Sequence, residues 1–76
     1  MKLGKLACKI DEYTSASTVS IMLNNKVIGI YDRDNFYITF TSELENVRVS
    51  YHFLSYNEST YIIILDINSF KSVFKI

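Results

Sequence analysis

Proline is absent from the chain and glycine occurs only at Gly4 and Gly29. Turns must therefore be made by Asn, Asp and Ser, of which Asn best tolerates left-handed backbone, so the asparagines mark the corners. Cys8 is the single cysteine, which excludes an internal disulfide, the usual staple of small secreted domains. With His52 the single histidine, a zinc site of roughly four His or Cys ligands is excluded as well. No glycine-rich phosphate loop exists. Neither sign of charge is in excess: eight Lys plus Arg face eight Asp plus Glu, which argues against a dedicated DNA-backbone or anionic-membrane binder. The longest aliphatic run, Ile62 to Leu65, is four residues, too short to span a membrane or to form a signal-peptide core. The expected location is the cytoplasm, unless a leader was removed.

What is present is apolar and β-prone. The 76 residues are 49% hydrophobic and 14% aromatic, enough for one compact core and too much for a disordered chain, so residues 1–76 are expected to form a single β domain. A chain this short buries only about 60% of its unfolded surface, so self-association or a protein partner is expected to supply stability. Lysines cluster at the two ends, at Lys2, Lys5, Lys9, Lys71 and Lys75, and acidic residues dominate the middle.

Between the asparagines, Ile, Val, Tyr, Phe and Thr alternate with period two, which predicts strands at about 5–10, 18–23, 26–31, 36–41, 47–54, 60–67 and 70–75. A two-residue hairpin at Asn24-Asn25 pairs Leu23 with Lys26, Ile21 with Ile28 and Val19 with Ile30, all apolar partners on one face apart from Lys26. A second at Asn68-Ser69 pairs Leu65 with Ser72 and Ile63 with Phe74, and sets Asp66 beside Lys71. Val47, Val49, Tyr51 and Phe53 alternate with Arg48, Ser50 and His52, giving that strand one wet face. Tyr61 to Ile67 is apolar on both faces and belongs at the centre of its sheet. Seven short strands at this spacing predict an all-β fold, a small antiparallel Greek-key β-sandwich, with a small SH3/Sm-like β-barrel as the alternative.

Little here can carry chemistry. Nucleophilic catalysis needs a nucleophile, a base and an orienting group, and His52 falls on the solvent-facing side of its strand. Cys8 alternates with Leu6 and Ile10 and reads as a buried structural thiol. The cluster Asp32-Arg33-Asp34-Asn35 offers oxygen ligands but lacks the glycine and distal Glu of a calcium loop, and reads as a solvated turn. Ser42-x-x-Glu45 has capping-box spacing and shapes a connection. The tyrosines could stack bases, but no basic groove accompanies them. No catalytic residue, metal or cofactor is therefore expected, and no small-molecule substrate is evident.

A longer string becomes legible once the strands are placed: Asp11-Glu12-x-Thr14, Ala16-Ser17-x-Val19-x-Ile21, Gly29-Ile30-Tyr31-Asp32-Arg33-Asp34-Asn35-Phe36-x-Ile38, Val47-x-Val49-Ser50-Tyr51 and Ser55-Tyr56. Over about residues 8–65 it resembles the carboxypeptidase regulatory-like domain, a transthyretin-like seven-stranded sandwich, with Asn35 where that family carries glycine. The resemblance implies a non-catalytic module that docks onto or supports something else. A second resemblance, to Sm-like RNA-binding barrels, runs through Val19-Ser20-Ile21-Met22-Leu23, Gly29 and Asp34-Asn35-Phe36-Tyr37-Ile38.

The expected function is a non-enzymatic β-sandwich module acting through protein–protein contacts. The alternatives are a small Sm-like or OB-like nucleic-acid-binding barrel, or a small inhibitor of a host enzyme encoded by a mobile element. An outer strand is expected to mediate association, with Tyr37, Thr39, Arg48 and His52 facing the partner.

Overall fold

A computed structural model describes residues 1–36, 42–57 and 59–76. The elements run α1 (Leu3–Cys8), α2 (Ile10–Tyr13), β1 (Thr18–Leu23), β2 (Lys26–Asp32), a 3-10 turn at Arg33–Asn35, a second at Leu44–Asn46, β3 (Val49–Leu54), β4 (Thr60–Leu65) and α3 (Ile67–Phe74). The four strands form one open mixed sheet in the order β2-β1-β4-β3, with β1 and β4 parallel at its centre and the two outer pairs antiparallel. The fold is sheet-rich, but the described residues form one four-stranded sheet with a helical layer rather than an all-β sandwich of seven strands.

The corrections fall at the two ends. Residues 5–10, expected as a strand, belong to α1 and α2. Leu3, Leu6, Ala7 and Ile10 recur at i, i+3, i+4 and i+7, one stripe of a helix, and all four are buried. Of the alternating Leu6, Cys8 and Ile10, only Leu6 and Ile10 belong to that stripe, and Cys8 is exposed rather than buried. Residues 70–75 likewise are not a strand, and no hairpin forms at Asn68-Ser69. The chain turns at Asp66 into α3, which lays Phe70 and Val73 against the core and ends at Lys75 in left-handed backbone, φ 60°. A short apolar run suits a helix or a strand equally; here the 3-residue step from Ile67 to Phe70 to Val73 prevails. The strand expected at 36–41 lies outside the described residues beyond Phe36, and Phe36 itself is fully buried.

The Asn24-Asn25 hairpin forms as expected. Both residues have positive φ, 52° and 68°, the signature of a type I′ turn. Leu23 pairs with Lys26, but the register then slips. Met22 pairs with Val27 and Ile21 with Gly29, leaving Ile28 as an extra residue. This β-bulge turns the rest of β2 over: Tyr31, not Ile30, lies opposite Val19 on the core side. Gly29 makes the inversion possible, because the Tyr31 ring lies across it and a Cβ there would sit 2.6 Å from Tyr31 Cε2. The ring then meets Phe36, centroids 5.6 Å apart.

Val19 and Ile21 from β1, with Tyr61, Ile63 and Leu65 from β4, form the floor of the core. The α1–α2 stripe, Phe36, Leu44 and Val47 cover it. Burying each of the larger aliphatic side chains contributes about 1.5–3 kcal/mol. The N-terminus is stitched to the start of β3 and the residues before it by Leu3 N–H donating to the Val47 carbonyl and Val49 N–H to that of Met1, each 2.8 Å. Gly4 lets α1 approach the second 3-10 turn, since a Cβ would meet Glu45 Cβ at 3.0 Å.

Candidate functional site

All described covering elements lie on one side of the sheet. On the other side, pairing sets the side chains in rows. One row runs Ile30, Ser20, Ile62, Phe53 from β2 to β3, and the next runs Val27, Met22, Ile64, Tyr51. Asp32, Thr18 and Thr60 form a polar third row at one end. Seven of the eight side chains in the first two rows are apolar, none is charged, and none belongs to the core cluster. Ile30 is 68% exposed, Tyr51 61% and Val27 53%, while Met22, Ile62, Ile64 and Phe53 are half-buried. Such a contiguous apolar surface is uncommon on a chain that works alone.

Local geometry produces this face. A second bulge, in β3, leaves Ser50 without a partner between the pairs Val49–Leu65 and Tyr51–Ile64. It moves Tyr51 and Phe53 onto the open side, ring centroids 5.4 Å apart, and turns His52 inward. The sequence expectation was the reverse, with His52 on the wet face, because strict alternation was carried through Ser50. Both outer strands of the described sheet thus carry a bulge, and bulges discourage edge-to-edge strand addition.

The expected partner-facing residues do not form one group. Tyr37 and Thr39 lie outside the described residues. Arg48 is exposed before β3, and its backbone ties α3 to the sheet: its N–H donates to Ser69 Oγ at 2.8 Å and its carbonyl accepts from Asp66 N–H at 2.9 Å. His52 is half-buried on the core side, its Nδ1 sharing a hydrogen bond with the Tyr61 hydroxyl, and Tyr13 of α2 packs edge-on over its ring at 5.2 Å. Burial raises the Tyr61 pKa above its ordinary 10.0, and the neighbouring Tyr13 hydroxyl adds to the rise. The pair fastens β3 to β4 beneath α2.

Elsewhere the polar groups serve turns. Arg33 donates from Nε to the Ala16 carbonyl at 2.8 Å and pairs with Asp11 and, at 3.6 Å, with Asp34. Arg33 therefore ties the end of β2 to α2 and the segment after it, while Asp32, Asp34 and Asn35 stand exposed as the solvated turn the sequence predicts. Asn57 Oδ1 accepts from Ser55 Oγ, Ser59 N–H and Ser59 Oγ and so closes the β3–β4 turn. Among the described residues no three of His, Cys, Asp and Glu converge on a point. A shallow cleft of about 310 Å³ opens between α1 and the second 3-10 turn, lined by Lys2, Gly4, Lys5, Cys8, Glu45 and Asn46. No helix of the described chain is long and apolar enough to cross a membrane.

Sequence reasoning missed Ile30, Tyr51 and Val27 as surface residues. One signal was available: Tyr61 to Leu65 is apolar at every position, so a strand at the centre of one sheet offers apolar side chains to both of its faces. Comparison with known proteins returned no matching family model, no similar curated protein and no similar solved structure.

Proposed function

We propose that the chain is a non-enzymatic interaction module that works through protein contacts made by the open face of its sheet. The observation that carries the reading is the pair of uncharged rows centred on Ser20, Met22, Ile62 and Ile64, flanked by the largely exposed Ile30, Val27 and Tyr51. Apolar surface of this kind gains free energy when a partner removes it from water. The resemblance to the carboxypeptidase regulatory-like domain implies the same class of role, and it is that role, without the seven-stranded sandwich, that we carry forward. An inhibitor docking on an enzyme is one form of it and differs only in partner. The nucleic-acid alternative is weaker, because the two rows hold no Lys or Arg to meet phosphates.

The test is a photo-cross-linking amino acid in place of Tyr51, with one in place of the exposed Lys9 on the helical side as control, in chain expressed at native level. Protein adducts are expected from position 51 and not from position 9. Adducts from neither position, or equally from both, would count against the reading.

A further inference from the structure

We infer that the partner on the open face is a second copy of this chain, stacked sheet against sheet. This rests on the contact role proposed above and names its occupant. Four strands about 4.8 Å apart and three rows about 6.6 Å apart, the third being the polar row of Asp32, Thr18 and Thr60 at the rim, make a face roughly 20 Å square, so two copies bury on the order of 1,000 Å² of accessible surface. That reaches the lower bound of a specific interface and exceeds most chance contacts.

Three features suit the same surface on both sides. First, the apolar rows contain no charged side chain, so a two-fold stacking brings no like charges together at its centre. A partner carrying charges there would leave them unpaired. Second, the chain has no net charge, eight cations against eight anions, so two copies do not repel at long range. Third, twisted sheets of the same hand pack face to face at about 30° and about 10 Å separation, which fits a face on which no described helix lies. The relief is also uneven in a useful way: Ser20 is a dent between Ile30 and Ile62, the kind of step into which a facing aliphatic side chain fits.

The second layer of a sandwich, which the strand spacing predicts within one chain, is then supplied by the partner copy. The bulged edges support the face over the edges as the route of association.

The experiment is sedimentation velocity of the full chain from micromolar to millimolar concentration, beside Ile30→Glu and Tyr51→Glu, each checked by circular dichroism for an intact fold. The mass is expected to rise toward twice the 8.8 kDa of one chain. Each substitution is expected to weaken dimerisation at least tenfold. Lys9→Glu on the helical side controls for charge and is expected to leave dimerisation unchanged. A dimer insensitive to both face substitutions would overturn the inference by placing the contact elsewhere. A wild-type monomer at millimolar concentration would overturn it too, and a hydrophobic dye then separates the cases. Dye binding abolished by Tyr51→Glu leaves the face open for a different protein and the contact role intact, whereas no dye binding removes both.

Discussion

Val19 and Ser20 are consecutive on β1, yet they meet different worlds. Val19 is wholly buried beneath α1 and α2, while Ser20 sits between Ile62 and the largely exposed Ile30 on a side that no described element covers. The same holds along β4, where Ile63 is fully buried and Ile62 and Ile64 on either side are only half so. By composition the two faces are nearly equal; what separates them is that the described helices all lie on one side. Hydrophobicity alone therefore does not identify the core of this protein, and the surplus apolar face becomes its most informative surface.

The largest effect expected from this contrast is on the buried side. Ile63→Ala should cost about 2–5 kcal/mol in denaturant unfolding, because Ile63 is enclosed on all sides, whereas Ile62→Ala one residue away should cost well under half as much. Equal losses would mean that the open face is as well covered as the core. The hairpin that sets which residues share a face comes next. Asn25→Val should destabilise by about 1–2 kcal/mol, since a β-branched residue resists the φ of 68° at that site, while Asn25→Gly should change little.

Tyr61→Phe sharpens the comparison at the boundary of the two layers. Losing the hydrogen bond to His52 should cost about 1 kcal/mol near neutral pH. The variant should also differ in alkali. With the folded pKa of Tyr61 raised above 10.0, the unfolded chain ionises first, so this residue's contribution is present below about pH 10 and is lost as pH rises toward the folded value. Thermal melts from neutral to alkaline pH should therefore fall more steeply for the wild type than for Tyr61→Phe, and parallel curves would remove the argument. The smallest effect is expected at Ile30→Thr, within about 0.5 kcal/mol when measured at concentrations low enough to keep chains apart.

The sequence by itself determined the β-rich interior, the Asn24-Asn25 turn, and four strands expected at about 18–23, 26–31, 47–54 and 60–67 that form at 18–23, 26–32, 49–54 and 60–65, because these depend on local alternation and on the tolerance of Asn for positive φ. The central position of β4 was legible too, from apolar residues on both its faces. Tertiary structure decided the rest. Leu3 to Ile10 and Ile67 to Phe74 carry apolar patterns short enough to serve as helix or strand, and the need to cover one face of an open sheet selects the helix. The bulges at Ile28 and Ser50 were not readable either, since each adds one residue without changing composition, yet each inverts every side chain beyond it. Those two single-residue shifts put Ile30, Tyr51 and Phe53 outside and His52 inside, and with them moved the candidate site from the strand edges to the open face.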